Sequence, residues 1–294
     1  GSNYYLTPGR DDALIEKVQA LHRAIINDKR YIQKTADSNS YDYDIYDTSA
    51  SESVSGAQTL ERNYASTWIR LTYILNNGLK VERRYNLYLT PARMAQEGTY
   101  DYLLDQLVNS PEMRQKRIRW QDEGFQMEDA WLNTRNAGSD LNSREVDAIL
   151  NAVAQDAENG NWGVYDWFTE RGDADQYDIT VNVSYKLTNS KTGRVYDSIN
   201  VIVRKGMTET IRTLKELGLI TNADLVTNQE IYPWQYTDSG WEEYDRFYDA
   251  FGIYPEEYYD RHGGYPAGWF GTEGDDPAVD ESYSPSMSAG AESA

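Results

Sequence analysis

The first recurring pattern in the chain is that of an amphipathic helix. Its apolar residues return every three or four positions, which places them on one face of a helix. These residues are Leu14, Val18, Leu21 and Ile25. Alternating apolar and polar residues from 67 to 75 then predict a β-strand, and Asn77-Gly78 is typical of a tight hairpin turn. A return strand from Val81 to Leu89 and a helix around Leu104 complete an α-β-β-α pattern.

The same order of elements occurs again in the second half of the chain. A helix with Val146, Ile149 and Val153 repeats the first helix at an offset of 128 positions. An alternating strand at 177–187 and a return strand at 195–203 match the first hairpin at offsets of 112 and 114. We therefore predict an α+β fold built as a tandem duplication of one α-β-β-α module, with antiparallel hairpins covered on one face by helices.

The organisation along the chain follows from these patterns. We expect a first module at 1–120 with an inserted polar loop at 36–66, a connector at 121–141, and a second module at 142–229. Residues 230–271 are rich in Trp and Tyr and have no counterpart in the first module, so they form an aromatic C-terminal extension. Residues 272–294 contain almost nothing apolar and are predicted to be a disordered tail.

Composition narrows the classes of function. The chain has 28 basic and 48 acidic residues and a net charge of -20, which repels phosphate backbones, so we expect no nucleic-acid partner. Cysteine is absent, which excludes a disulfide scaffold, a thiolate zinc site and a cysteine nucleophile. No run reaches the about 20 apolar residues that a bilayer span needs. The start, Gly1-Ser2-Asn3, looks like the remnant of an expression tag, so we expect an anchoring segment upstream.

Both histidines favour structural positions over catalytic ones. His22 takes the place that Leu150 has in the second copy, which indicates a core or boundary position. His262 precedes Gly263-Gly264 and is predicted to lie in a loop. Without a second histidine nearby in sequence, a metal or general-base role for it is disfavoured.

Acidic clusters are the remaining candidates for chemistry. Asp42, Asp44 and Asp47 lack the central Gly and terminal Glu of a calcium-binding loop, so a solvated acidic loop is the preferred interpretation. Adjacent pairs such as Glu242-Glu243 and Glu256-Glu257 point in different directions on a helix and rarely form the two-carboxylate pair of a glycosidase. We expect no catalytic residue, no metal site and no cofactor.

The aromatic extension supplies the candidate binding residues. The chain has 25 Tyr and 8 Trp against 5 Phe, so many rings carry a polar group that suits a half-exposed position. The candidates for a ligand or partner surface are Trp234, Tyr236, Trp241, Tyr258 and Trp269. Two interpretations stay open: a surface that binds sugar, peptidoglycan or protein, or packing rings that cover the open ends of the two sheets.

Several motifs in the first module occur together. They are Leu-Thr-Pro-x-x-x-Asp at 6–12, Val-x-Ala-Leu-His-Arg-Ala-Ile-Ile at 18–26, the strand 69–75, Asn77-Gly78, Arg83-Arg84-Tyr85 and Asn109-Ser110-Pro111-Glu112. Together they resemble a poorly characterised family of soluble domains attached to ABC-type transporter permease subunits of Gram-positive gut bacteria. The resemblance covers mainly residues 4–118, with a weaker echo at 142–220. It implies an extracytoplasmic or membrane-proximal module that senses, docks or gates, and it transfers no site residue.

The sequence thus predicts a non-catalytic interaction or sensing domain of a larger membrane protein at the cell surface, anchored through a segment outside this chain. Its expected partners are the membrane helices or transporter subunits of the parent protein, or another surface protein. The alternative is a secreted or surface carbohydrate-binding module, less readily a glycoside-cleaving one, whose C-terminal Trp and Tyr residues hold a glycan.

Overall fold

The computed structural model describes residues 3–28, 42–44, 64–168, 172–189 and 193–271, and the chain divides into two compact units, 1–225 and 226–294. The elements of the first unit are α1 (Asp12–Ile26), β1 (Asp42–Asp44), β2 (Ala65–Ile74), β3 (Lys80–Leu89), α2 (Pro91–Met94), α3 (Tyr100–Val108), α4 (Pro111–Ile118), β4 (Gln126–Thr134), β5 (Gly138–Asp140), α5 (Ser143–Glu158), β6 (Gln176–Asn189), β7 (Gly193–Arg204) and α6 (Thr208–Glu216). Those of the second unit are α7 (Asn228–Ile231), α8 (Gly240–Phe251) and α9 (Pro255–His262). Short 3₁₀ helices lie at Trp120–Glu123, Asn222–Asp224 and Pro233–Tyr236. The fold is mixed α+β, as the sequence predicts.

Two sheets form the framework of the first unit. β2 and β3 make the predicted antiparallel hairpin, and β1 pairs with β3 in parallel, giving the order β1-β3-β2. The second sheet is antiparallel with the order β5-β4-β6-β7. Each sheet contributes to its own buried cluster. One holds Leu21 of α1, Leu87 of β3 and Leu104 of α3, and the other is built around α5, β6 and β7.

The interval 121–141, expected to be a connector, instead supplies β4 and β5 of the second sheet. The expected inserted loop 36–66 likewise contributes β1 and the start of β2. The remainder of that loop up to residue 63, together with the tail 272–294, lies outside the described residues. The unit boundary falls between Leu225 and Val226, so the first predicted module and residues 142–225 of the second belong to one compact unit.

The two hairpins share one register. Ile69 pairs with Tyr85 in the first, and Val183 pairs with Ile199 in the second. Each member of the second pair lies 114 positions beyond its counterpart in the first. By its pairing, β6 therefore corresponds to β2 at an offset of 114 sequence positions, and not at the offset of 112 that the residue types suggest. A single offset for both strands means that corresponding pairs are separated by the same number of residues in the two hairpins.

A buried aspartate lies near the end of the first helix in both modules. Asp28, after α1, pairs with Arg93 of α2, and Arg93 Nε also donates to the fully buried Asp101 at 3.0 Å. Asp156 of α5 is fully buried and accepts from the backbone and the hydroxyl of Thr210 at 2.8 and 2.7 Å. Each aspartate thus binds the helical segment that follows its hairpin. Asp28 does so through Arg93 of α2, whereas Asp156 accepts hydrogen bonds directly from the start of α6.

Helix α4 joins the two modules. Its buried Arg114 donates through Nε to the carbonyl of Ala157 at 3.1 Å and through Nη1 to the carbonyl of Asn109. Gln115 donates to the carbonyl of Ala154 at 2.9 Å. The carbonyls of Ala157 and Asn109 lie at the C-terminal ends of α5 and α3, where the helix dipole concentrates negative charge. Arg114 therefore places one positive charge against the negative C-terminal ends of two helices.

His22 lies at the boundary of the first core, as the sequence predicts. Its Nδ1 lies 2.9 Å from the Tyr73 hydroxyl and its Nε2 lies 2.6 Å from the Tyr85 hydroxyl, so the ring ties α1 to both strands of the hairpin. Burial lowers the pKa of His22 below 6.5, and the charge of Arg83 lowers it further.

A pH dependence follows from this lowered pKa. The unfolded chain takes up the proton more readily, so His22 makes the native state lose stability as the pH falls from 6.5 through the folded-state pKa. We expect His22→Leu, which introduces the residue found at the corresponding position 150, to remove this loss of stability at low pH. Urea midpoints at pH 7.5 and 5.0 check it: the wild type should lose more stability on acidification than the variant. Equal losses would contradict the assignment.

Candidate functional site

Two clefts in the first unit contain charged side chains, but these groups are already paired with one another. The first, of about 310 Å³, is lined by Asp11, Lys116 and Glu123 among others. Lys116 Nζ lies 2.9 Å from Asp11 and also pairs with Glu123. Burial raises the pKa of Asp11, but hydrogen bonds from the Thr7 backbone and Lys116 outweigh it and hold that pKa below 3.8. The second, about 360 Å³, is lined among others by Asp28 and Arg93, which form the ion pair described above.

The second unit is a small helical structure with clear start and stop signals. Thr227 and Glu230 form a reciprocal capping box at the start of α7. α8 ends at Gly252, in the left-handed conformation with φ 69°, and Pro255 then occupies the first turn of α9. These signals keep the helices short and turn the chain back between them.

Aromatic rings form the core of this unit. Trp234 is 2% exposed and Phe247 is fully buried. The centroid of the Trp234 ring lies 5.0 Å from that of Tyr244 and 5.5 Å from that of Phe270, and the Phe247 ring lies 5.1 Å from Trp269. Centroid distances of about 4.5–7 Å are those of favourable aromatic pairs. The core of this unit is therefore formed by packed aromatic rings instead of aliphatic side chains.

Gly240 is required where α8 starts against Trp234. A Cβ atom at position 240 would lie 2.0 Å from the Trp234 carbonyl oxygen and 2.5 Å from its Cα. Both are backbone atoms that cannot rotate away. We expect Gly240→Ala to destabilise residues 226–271 by about 2–3 kcal/mol. Hydrogen exchange of these residues measures the effect, and Gly264→Ala, where no atom lies within 4 Å, is the control that should change nothing.

A second set of rings lies on the surface of α8 and the segment after it. Trp241 is 60% exposed, Tyr248 42% and Tyr254 49%. Tyr254 stacks on Tyr248 with centroids 4.6 Å apart and on Tyr244 with centroids 6.1 Å apart, and Trp241 lies 5.5 Å from Tyr244. We call Trp241, Tyr244, Tyr248 and Tyr254 the ring surface. The ring surface is continuous, and the contacts among its rings hold them in place before any partner binds.

One carboxylate is built into the ring surface. The Tyr244 hydroxyl donates to Glu256 Oε1 at 3.2 Å, while Glu256 Oε2 is buried and accepts no hydrogen bond from the described residues. Burial, followed by the charge and hydrogen bond of Glu256, raises the pKa of Tyr244 to about 12. Tyr244 therefore keeps its proton at physiological pH and adds no negative charge of its own.

The five residues proposed from the sequence separate into different environments. Trp234 belongs to the core, and Trp241 is exposed. Tyr236 is half-buried. Tyr258 and Trp269 are half-buried and pack against Phe247 at centroid distances of 5.4 and 5.1 Å. Of the five, Trp241 alone joins the ring surface.

Sequence reasoning missed Tyr244, Tyr248 and Tyr254. The signal for Tyr248 was its spacing, because positions seven apart on a helix share a face and Trp241 lies seven residues before it. Tyr254 comes after α8 has ended, so helical spacing carries no information about it. Its place depends on the reversal at Gly252.

The other candidates for chemistry occupy structural positions. Glu243 accepts from the Phe270 backbone at 2.7 Å and Glu257 pairs with Arg261, so the adjacent acids are divided between separate tasks. His262 is exposed at the end of α9, its ring centroid 4.2 Å from that of Tyr258. Asp42 and Asp44 lie in β1, and Asp47 lies outside the described residues.

Three broader observations complete the description. None of the helices in the described ranges has the length and apolar character needed to cross a membrane. Within the same ranges, no three His, Asp or Glu side chains come together as metal ligands. Comparison with protein-family models, with curated protein sequences and with solved structures finds no match to the chain.

Proposed function

We propose that this chain is a non-catalytic interaction domain of a larger extracytoplasmic or membrane-proximal protein, and that the ring surface is its contact element. The supporting observation is the exposure of Trp241, Tyr248 and Tyr254 beside a core that other rings already fill. Large aromatic side chains contribute most of the binding energy at protein interfaces, and grouped exposed rings are uncommon unless they bind something. The link to an ABC-type transporter permease rests on the resemblance of residues 4–118.

We further propose that residues 1–225 arose by tandem duplication of one α-β-β-α module. The common offset of 114 for both strands of the hairpins supports it. So does the position of Asp28 and Asp156, each holding the helical segment after its own hairpin. In this proposal the duplicated modules are the scaffold and the second unit carries the binding element. The third strands differ, since β1 pairs with β3 but β4 pairs with β6.

The proposed partners are the membrane helices or transporter subunits of the parent protein, or another surface protein. A surface of preordered rings suits such a partner, because little side-chain entropy is lost when rings that already contact one another become covered. The corresponding location is the outer face of the membrane, with the anchor in a segment outside this chain.

Photo-crosslinking in the native host tests this function. A benzoylphenylalanine at position 241 of the full protein should form crosslinks to a transporter subunit or another surface protein, identified by mass spectrometry. The same residue at position 202, where Ile202 is 40% exposed on β7, is the matched control and should form few. Equal or absent crosslinking at position 241 would contradict the proposal.

Carbohydrate binding is the second candidate, favoured by one observation. The offset stack of Tyr248 on Tyr254 presents flat, half-exposed rings of the kind on which sugar faces pack. Titration of the full chain with soluble peptidoglycan and teichoic-acid fragments in a calorimeter separates the two functions. Saturable binding that Trp241→Ala abolishes would favour the glycan. No heat of binding, together with crosslinks at position 241, would favour the protein partner.

A further inference from the structure

We propose that the partner segment that covers the ring surface carries arginine, so that the ring surface is a docking site for a cationic protein segment. This inference rests on the proposed function and adds the chemistry of the partner. Three features of the second unit lead to it: an excess of acidic over basic residues, the place of two exposed aspartates beside the exposed rings, and the way this chain already holds its own arginines.

The charge of the second unit is strongly one-sided. Residues 226–271 contain nine acidic and two basic residues. Both cations are engaged within the unit: Arg246 lies over the Trp269 ring at 5.6 Å, and Arg261 pairs with Glu257. The acids near the ring surface therefore have no cation of the unit left to compensate them. A cationic partner would supply it.

The unpaired acids lie beside the exposed rings on α8. Successive residues of a helix turn by about 100°, so Trp241 and Tyr248 share one face, and Asp245 and Asp249 follow on its solvent side. Both aspartates are exposed, and neither forms an ion pair or hydrogen bond with another described residue. The buried Glu256 Oε2 adds negative potential next to Tyr244. Rings and carboxylates thus lie side by side on α8 and on the segment that follows it.

Arginine matches this pairing of groups better than other cations do. Its planar guanidinium stacks on an aromatic face and can bind a carboxylate through two parallel hydrogen bonds, whereas lysine is a point charge that holds its water more tightly. The first unit already holds arginines over aromatic rings: Arg117 lies over the Trp162 ring at 4.5 Å, and Arg194, which also lies 3.7 Å from Glu128, lies over the Tyr196 ring at 4.6 Å. The exposed ring of Trp241 is the open counterpart of those two.

Calorimetric titration of the full chain with blocked synthetic peptides tests this inference. One probe has four arginines alternating with glycine, the second has lysine at the same positions, and the third has glutamate. At 0.15 M salt we expect the arginine peptide to bind at least about fivefold more tightly than the lysine peptide, and the glutamate peptide not to bind. Trp241→Ala should weaken binding of the arginine peptide about fivefold or more.

A charge-matched control distinguishes binding at the ring surface from general electrostatic attraction to an acidic protein. Asp245→Asn/Asp249→Asn removes two charges beside the rings, and Glu209→Gln/Glu216→Gln removes two from α6. We expect the first variant to weaken binding of the arginine peptide about tenfold and the second to stay within about twofold. Equal losses in both, or no effect of Trp241→Ala, would overturn the inference.

The inference and the proposed function can fail separately. If position 241 crosslinks in cells to a partner whose crosslinked segment has no arginine or lysine, the interaction function stands and the cationic chemistry is wrong. If the arginine peptide binds through Trp241 but no crosslink forms in cells, the chemistry stands and the interaction function is wrong.

Discussion

Replacing Arg93 by methionine should lower the free energy of unfolding by about 3–5 kcal/mol. Arg93 is held between Asp101, whose side chain is fully buried, and Asp28, whose side chain is 9% exposed. Removing the cation leaves two carboxylates, both largely buried, without the arginine that they share. Asp101 still accepts a hydrogen bond from the Thr90 backbone at 3.0 Å, which offsets only part of this penalty.

Urea unfolding of the wild type and Arg93→Met, followed by circular dichroism, measures the loss. Arg212→Met is the matched control, because Arg212 also touches two acids, Glu209 and Glu216, but lies on the surface. Its unfolding curve should superpose on that of the wild type. The double variant Arg93→Met/Asp101→Leu should recover much of the stability, since the buried charge goes with its partner. A loss in Arg93→Met no larger than in the control would contradict the assignment.

Truncating Trp234 to alanine should destabilise the second unit by about 3–5 kcal/mol, whereas the same change at Trp241 should cost less than about 0.5 kcal/mol. The two tryptophans lie in one unit, seven residues apart, and their exposed fractions are 2% and 60%. Trp234 fills the centre of the ring cluster and would leave a cavity the size of an indole. Trp241 loses only contacts at the surface.

Hydrogen exchange followed by mass spectrometry localises both effects to residues 226–271. We expect these residues to exchange faster in Trp234→Ala and to be unchanged in Trp241→Ala. Residues 143–158 serve as the internal reference, because α5 belongs to the other unit. Comparable acceleration in both variants would mean that Trp241 is a packing residue, and the ring surface would lose its main member.

Most of the framework of the first unit could be predicted from the sequence. α5 has a complete apolar face, and Asn142 and Glu145 form a capping box at its start with both reciprocal hydrogen bonds. Ser110 caps α4, and Pro111 lies in the first turn of that helix. These elements are set by local spacing and local capping, which are visible in a short stretch of sequence.

Strands β4 and β5 escaped prediction for local reasons. In β4 a β-bulge between Met127 and Asp129 breaks the alternation that marks a strand, so the buried Ala130 and Leu132 fall out of phase with Met127. β5 has three residues, Gly138 to Asp140, and none is apolar. β4 pairs with the long strand β6, which is distant in sequence and leaves no signature in the β4 segment, and β5 then pairs with β4.

The register of the first hairpin relative to the second also could not be predicted from the sequence. Leu71-Thr72-Tyr73 and Val183-Ser184-Tyr185 match in residue type at an offset of 112. In the structure Val183 corresponds to Ile69, because each of these residues pairs with the residue 16 positions further along the chain. A shift of two residues keeps every side chain on the same face, so the burial pattern alone cannot reveal it.

The sequence located the aromatic surface only coarsely. It identified the aromatic segment, but it could not separate Trp234 from Trp241. Helical spacing within α8 places Gly240, Tyr244, Phe247 and Phe251 on one face, and Trp241 and Tyr248 beside it. Which of these two faces is buried depends on Trp234, which comes from the preceding 3₁₀ helix Pro233–Tyr236.

Paired cysteines test most directly the central claim that the two hairpins share one register, which is the support for the proposed duplication. Disulfides form between directly opposite residues and not between diagonal ones about 7–8 Å apart. Arg70 lies opposite Arg84, and Ser184 lies opposite Ser198 at an offset of 114 for both members. Since the chain has no cysteine of its own, each pair can be tested alone. We predict disulfides in Arg70→Cys/Arg84→Cys and in Ser184→Cys/Ser198→Cys but none in Thr72→Cys/Arg84→Cys. A disulfide in the Thr72 pair, without one in the Arg70 pair, would contradict the claim.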